Sequence, residues 1–134
     1  MPAGNLTLTA QWTAINYSVT YNLNNGTGSP SNLINRHIGD TFTVEAGVTR
    51  SARNFLGWYD GTNTYMPGQS YIVGNSNVTL TATWSGQLYS ITYAKNGATG
   101  NAPTENDRLE NEQITVAAGT GLSRRGYEFG GWLS

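Results

Sequence analysis

The chain contains no cysteine, which excludes disulfide bonds and thiolate metal ligands. Charge is also scarce: charged residues make up 11% of the chain, with 7 basic and 8 acidic side chains. Nucleic acid binding depends on clustered Lys and Arg that neutralise phosphates, and only Arg124 and Arg125 are adjacent here. We therefore expect neither a nucleic acid partner nor an electrostatic membrane anchor.

Long apolar runs are missing as well. No run approaches the ~20 residues of a membrane-spanning helix, and Met1 is not followed by the basic and apolar regions of a signal peptide. We therefore expect no membrane insertion, and the export signal of a secreted parent protein would lie outside this chain.

What the chain does contain is an internal repeat. Residues 5–12 (NLTLTAQW) return 72 positions later as residues 77–84 (NVTLTATW), and residues 17–21 (YSVTY) return over the same distance as residues 89–93 (YSITY). A fixed period of this kind defines the folding unit. It divides the chain into residues 1–14, the closing strand of a preceding repeat; residues 15–86, a complete repeat; and residues 87–134, an incomplete repeat that lacks its last strands.

The size of the unit bears on its partners. A unit of roughly 70 residues lies near the lower limit for a self-sufficient core. We therefore expect adjacent repeats of the same protein to contact one another.

Alternation of apolar and polar residues predicts strands in both copies. The closing segment alternates Thr and Gln with Leu6, Leu8, Ala10 and Trp12, and residues 17–23, 41–44 and 113–116 alternate in the same way. Asp60-Gly61 between aromatic residues is a hairpin signal. Residues 29–36 and their counterpart 103–111 are predicted to hold one helical turn at most. The sequence thus predicts a mainly β fold with at most one short helix per unit.

Taken in order, these motifs resemble the Listeria–Bacteroides repeat, also called the internalin B-repeat type. The motifs are a Tyr-x-Val-Thr-Tyr opening, an Asn-Gly turn, an Arg-x-x-x-x-Phe-x-Gly-Trp core and a Val-Thr-Leu-Thr-Ala-x-Trp closing strand, at residues 17–21, 25–26, 50–58 and 78–84. One departure is Ala52-Arg53 in the complete copy, where the second copy has the expected Gly126-Tyr127. The resemblance implies tandem β-grasp-like modules on bacterial cell-surface proteins and adhesins, without catalysis or a cofactor.

Candidate catalytic and metal-binding groups are few. His37 is the only imidazole, no Asp or Ser stands at a suggestive spacing from it, and its counterpart in the second copy is Leu109. No pairing of carboxylates between copies indicates a glycosidase site. Asp60 and its neighbours lack the alternating oxygens and terminal Glu of an EF-type calcium loop. The sequence therefore predicts no enzyme, no metal site and no cofactor.

Aromatic residues are the strongest candidates for binding, because 4 Trp and 8 Tyr can provide stacking surfaces or anchors. The periodic Trp residues are expected to fill the core of each unit. Tyr59, Tyr65 and Tyr71 lie near turns, so they are the candidates for exposed contacts to a host or cell-wall protein or to a glycan.

Three functions remain open. The main hypothesis is a non-catalytic, extracellular module of a bacterial surface protein that acts as a stalk, spacer or adhesive segment. Its short linkers, residues 13–16 and 85–88, would hold units in series. The second hypothesis is self-assembly, in which the N-terminal strand of one chain completes residues 87–134 of another by strand addition. The residues of that strand are Leu6, Leu8, Ala10 and Trp12. The competing explanation for the spare strand is that the chain is simply a fragment cut at these positions. The third is carbohydrate binding through exposed Tyr.

Overall fold

A computed structural model describes residues 3–134, so the first two residues of the predicted segment 1–14 lie outside the described part. The prediction of a mainly β fold is confirmed, since all regular structure is β. No helix long and apolar enough to cross a bilayer is found among residues 3–134. The strands are β1 (Tyr17–Asn22), β2 (Leu33–Arg36), β3 (Thr41–Thr43), β4 (Phe55–Tyr59), β5 (Thr64–Tyr65), β6 (Ser70–Ile72), β7 (Val78–Trp84), β8 (Leu88–Thr92), β9 (Thr99–Gly100), β10 (Thr104–Leu109) and β11 (Leu122–Ser123).

The first repeat is built on a five-stranded sheet in the order β2-β1-β7-β4-β5. Its first and last long strands are parallel neighbours, with Val19 beside Val78, whereas β4 runs antiparallel to β7, with Trp58 opposite Ala82. The closing strand therefore lies in the middle of the sheet, an arrangement that agrees with the β-grasp-like unit implied by the resemblance. The predicted Asp-Gly hairpin is confirmed as β4–β5.

The core of the first repeat follows from the alternation of its strands. Val19, Trp58, Leu80 and Ala82 are each 0% exposed and come from the three central strands. Full burial of an aliphatic side chain of this size contributes about 1.5–3 kcal/mol. Strand β7 supplies two of the four, so the closing strand completes both the hydrogen bonding and the core.

The second repeat forms only part of this sheet. Strand β8, the counterpart of β1, pairs with β10, and β9 pairs with β11. In the first repeat, β1 is paired on both sides, to β2 and to β7. Within residues 3–134, the corresponding second edge of β8 carries no strand.

Residues 29–36 and 103–111, for which one helical turn at most is predicted, contain no helix, but the strands that they form are not predicted. These segments contain strands β2 and β10, which add to the outer edges of β1 and β8. Both carry a register shift, and Asn35 and Asp107 within them have positive φ angles of 54° and 57°. Short polar side chains tolerate this conformation, and such irregularities are common in edge strands. The irregular strand hides the period-2 pattern in the sequence.

Two predicted strands are also wrong, and for one reason. Residues 113–116 and 5–12 are not strands, although their alternating sequences match those of β3 and β7. A strand needs a partner: β3 pairs with β6, whereas residues 113–116 pair with no strand among residues 3–134. Residues 5–12 likewise pair with no strand in the described part of the chain, and Trp12, expected in a core, is 91% exposed.

Candidate functional site

An aromatic cluster forms the centre of the first repeat. The Trp58 ring meets Tyr21 edge-on at 4.7 Å between centroids and Phe55 at 5.3 Å. Trp58 Nε1 donates a hydrogen bond of 2.9 Å to the Glu45 carbonyl oxygen, and the Glu45 N–H donates one of 3.2 Å to the Tyr21 hydroxyl oxygen. Burial raises the pKa of the Tyr21 hydroxyl above its ordinary value, since the charged form would lie beside apolar groups.

The second repeat reproduces this cluster. The Trp132 ring lies 4.7 Å from that of Tyr93 and 5.1 Å from that of Phe129. Trp132 Nε1 donates to the Ala117 carbonyl oxygen at 2.7 Å, and the Ala117 N–H donates to the Tyr93 hydroxyl oxygen at 3.0 Å. Two segments of different length and loop sequence therefore fold around the same contacts.

The two clusters differ in what covers them. In the first repeat, β7 seals the cluster with Leu80 and Ala82. In the second, the cluster opens into a groove of about 1100 Å³, lined by the end of β8 and the residues after it (91–96), Ile114 and Val116, and residues 122–124 and 127–134. Phe129 at its edge is 48% exposed, whereas its counterpart Phe55 is partly buried. The structure thus presents a partly apolar groove beside the aromatic cluster of the second repeat. We call it the open groove.

The joint between the repeats is a second candidate site. Ser85 Oγ accepts from the Asn54 N–H at 2.9 Å, and the Ser85 N–H donates to the Asn54 carbonyl oxygen at 2.9 Å. Arg53 Nη1 donates to the Ser85 carbonyl oxygen at 2.7 Å, and the Leu88 N–H donates to the Ala52 carbonyl oxygen at 2.8 Å. Four hydrogen bonds therefore hold the linker against the loop that precedes β4.

The three tyrosines predicted to contact a ligand do not share one open face. Tyr59 is 42% exposed, and its hydroxyl donates to the Gly61 carbonyl oxygen at 2.7 Å. Tyr65 is partly buried and packs edge-on against Tyr71 at 4.8 Å. The expected exposure is wrong for Tyr71, which is 9% exposed, because it packs under the hairpin. Ligand contact stays a prediction, and among these three only Tyr59 offers an exposed ring.

Asp60 explains why Tyr71 turns inward. The Tyr71 hydroxyl donates to Asp60 Oδ2 at 3.2 Å, while Asp60 Oδ1 accepts from the N–H groups of Thr62 and Asn63. Burial alone would raise the pKa of Asp60, but these hydrogen bonds outweigh it and hold the pKa below its usual value. For Tyr71, burial and then the Asp60 charge raise the pKa to about 12. The carboxylate thus acts as a turn-forming group.

His37 also lies in a turn. Its backbone N–H donates to Asp40 Oδ2 at 2.9 Å, and its Nδ1 lies 3.7 Å from the same oxygen. Both side chains are well exposed. In the part of the chain that the structure describes, no three His, Cys, Asp or Glu side chains are grouped so that they could hold a metal ion.

Sequence reasoning missed two sets of residues at these sites. Arg53 was noted only as a departure from the repeat pattern, whereas it bonds the linker. The walls of the open groove were also missed. The repeat period could have identified these walls, because it shows which residues of the second copy correspond to those that surround β7 in the first.

Comparison with known proteins agrees with the repeat organisation. The family model described as the Listeria-Bacteroides repeat domain matches residues 17–83 and again residues 89–134. A protein named "Putative membrane protein" from Evansella cellulosilytica is 34% identical over 127 residues, which cover 93% of this chain but 19% of that protein. The chain therefore spans about a fifth of the length of this relative. No solved structure gives a significant match. The chain belongs to the Listeria-Bacteroides repeat domain family.

Proposed function

We propose that this chain is a non-catalytic repeat module of a bacterial surface protein, and that it acts as a semi-rigid spacer between other parts of that protein. Membership of the repeat family and the name of the Evansella relative support a place in a cell-envelope protein. The observation that carries the spacer role is the hydrogen-bonded joint at Ser85 to Leu88.

The joint matters because linker stiffness decides how length grows with the number of repeats. A flexible linker gives an end-to-end distance that grows with roughly the square root of the number of segments. A linker fixed by four backbone-directed hydrogen bonds keeps successive units in one orientation, so length grows in proportion to repeat number. The low charge of the chain agrees with this role, since it produces no strong long-range field.

Double electron–electron resonance tests the stiffness of the joint. Because the chain has no native cysteine, spin labels at Thr20→Cys on β1 and Asn106→Cys on β10 report one distance across the joint. Both positions are exposed. We expect a narrow distance distribution that broadens when Arg53→Ala and Ser85→Ala remove bonds of the joint.

Arg125→Ala is the matched control, because it removes an exposed arginine outside the joint. It should leave the distribution unchanged. A distribution in the parent chain that is already as broad as in the joint variant would refute the spacer proposal. The surface location has its own test: antibodies against residues 15–86 should label intact cells that make the parent protein, and labelling only after lysis would refute it.

The adhesive alternative is tested separately by a glycan array and by binding to purified host surface proteins. Tyr59→Ala should abolish binding if the exposed ring carries it, whereas Tyr71→Phe, a change at a buried ring, should not. Absence of binding by the parent chain would remove this alternative.

A further inference from the structure

We propose that a polar cleft beside the joint binds an oxyanion group, a carboxylate or a phosphate, of an acidic glycan. The cleft has a volume of about 670 Å³, which is the size of a small-molecule pocket. Two arginines, Arg50 and Arg53, line it together with five uncharged polar residues. We call it the arginine cleft. The inference goes beyond the spacer role, which requires no ligand.

The arginine cleft carries positive charge that no carboxylate balances. Among the described residues, none that lines it is Asp or Glu, and neither Arg50 nor Arg53 forms an ion pair within residues 3–134. Arg108, by contrast, pairs with both Glu105 and Glu112. Because Arg50 and Arg53 are partly buried, salt screens their charges less than it screens fully exposed ones. The two arginines therefore attract an anion to this cleft.

The second repeat shows the same turn with only one of these charges. There the Tyr127 N–H donates to the Arg124 carbonyl oxygen at 3.0 Å, just as the Arg53 N–H donates to that of Arg50 at 3.2 Å, so Tyr127 corresponds to Arg53. The Arg124 guanidinium lies 4.2 Å from the centre of the Tyr127 ring, which is a cation–π contact. In the first repeat, this aromatic partner is replaced by a second cation. An anion bound between Arg50 and Arg53 would stabilise both charges.

Arg53 is held in place before any ligand binds. Its Nη1 donates to the Ser85 carbonyl oxygen at 2.7 Å, and a guanidinium has further N–H donors that remain for a ligand. The planar group binds a carboxylate or phosphate through two parallel N–H···O bonds. Because one hydrogen bond already restricts this side chain, less conformational entropy is lost on binding.

The uncharged residues of the arginine cleft suit the hydroxyl groups of a sugar. Asn25, Ser51 and Gln87 carry amide or hydroxyl groups that both donate and accept hydrogen bonds. The backbones of Thr27 and Thr49 exchange two hydrogen bonds, of 2.7 and 2.9 Å, and their hydroxyl oxygens lie 3.0 Å apart. This pairing fixes the shape of the cleft. A sugar that carries an anionic group should therefore bind more tightly than the bare anion.

Nuclear magnetic resonance titration of the full chain tests the proposal with matched probes. Glucuronate and glucose phosphate carry a carboxylate and a phosphate on the same sugar, glucose is the neutral control, and inorganic phosphate is the bare anion. Chloride holds the ionic strength constant. We expect saturable shifts of the Nε–H signals of Arg50 and Arg53 and of the Gln87 amide with a charged sugar, and none with glucose. The charged sugar that binds more tightly identifies the oxyanion.

Arg50→Gln should weaken this binding at least about tenfold, because it removes a charged hydrogen-bonding partner. Arg53→Tyr, which installs the residue of the second repeat, should weaken it similarly. Arg125→Gln is the matched control, since it removes the same charge at an exposed arginine outside the cleft, and it should change the dissociation constant by less than about twofold. Unchanged signals far from the cleft establish that each variant is folded.

Binding and stiffness of the joint are separable in Arg50→Gln. The four hydrogen bonds of the joint do not involve the Arg50 side chain. This variant should therefore lose the ligand while the distance distribution across the joint stays narrow.

Four results would overturn the inference. The first is the absence of saturable shifts with both charged sugars. The second is glucose binding as tightly as they do, and the third is an equal loss of affinity in Arg50→Gln and Arg125→Gln. The fourth is inorganic phosphate binding as tightly as either charged sugar, which would refute the assignment to a glycan.

Discussion

Ala52→Gly should stabilise the first repeat, although it removes a methyl group. The Arg53 N–H donates to the Arg50 carbonyl oxygen at 3.2 Å and closes a turn in which Ala52 is the third residue, with φ of +51°. A turn of this kind favours glycine at that position. The corresponding residue in the second copy is Gly126, with φ of +82°.

The magnitude follows from two opposing terms. A left-handed conformation costs an L-residue about 1–2 kcal/mol, whereas glycine's greater freedom in the unfolded chain costs about 0.5–1 kcal/mol. Because Ala52 is exposed, little burial is lost. The free energy of unfolding should therefore rise by about 0.5–1 kcal/mol, which moves the urea midpoint up by roughly 0.25–0.5 M at a slope of ~2 kcal/mol/M.

Urea denaturation followed by tryptophan fluorescence measures this change. Ala46→Gly is the matched control, because Ala46 is also exposed but has no positive φ; it should lower stability by about 0.5–1 kcal/mol. If Ala52→Gly destabilised the chain as much as Ala46→Gly, the backbone argument would be refuted. The hydrogen bond from Leu88 to the Ala52 carbonyl should persist, so the change should not loosen the joint.

Other predictions concern the core and its titrating groups. Leu80→Ala should destabilise the first repeat by about 3 kcal/mol. The control Leu56→Ala, at a residue 51% exposed, should lower the free energy of unfolding by less than about 1 kcal/mol in the same urea assay. Equal effects of the two changes would contradict the central position of β7. The pKa of Tyr71 rises from 10.0 to about 12 on folding, so the protonated hydroxyl stabilises the fold fully below pH 10. As the pH rises towards 12, the free energy of unfolding should fall by roughly 2 kcal/mol. Tyr71→Phe should flatten this alkaline loss, and an unchanged profile would refute the assignment. The pKa of Asp60 is lowered on folding, so Asp60 stabilises the fold at pH values above its unfolded-state pKa. This stabilisation is lost as the pH falls through its folded-state pKa. Asp60→Asn should therefore remove this acid dependence from a plot of unfolding free energy against pH.

The parts of the fold that sequence could predict are those specified locally. Alternation identified β1 and β7, because each has one buried face and one exposed or polar face. The Asp60-Gly61 pair identified the β4–β5 hairpin, because the turn chemistry is contained in adjacent residues. The repeat period identified which segments are equivalent.

The parts that sequence could not predict depend on partners far away in the chain. Residues 113–116 have the same pattern as β3, yet only β3 has a neighbouring strand. Strands β2 and β10 exist because β1 and β8 offer them an edge, whatever their own weak pattern. Tyr71 was expected to be exposed because it lies near a turn, but its direction is set by Asp60, 11 positions away. Local sequence carries no record of these contacts.

The central position of the closing strand links these observations. Val19 pairs with Val78, 59 residues later, so the middle of the sheet forms only when the first and last parts of a repeat are both present. Such distant pairing is entropically costly and is rewarded only when the core closes. The aromatic cluster forms earlier than this sheet in the chain of contacts, because Tyr93 and Trp132 lie 4.7 Å apart although β8 has no partner equivalent to β7 among residues 3–134.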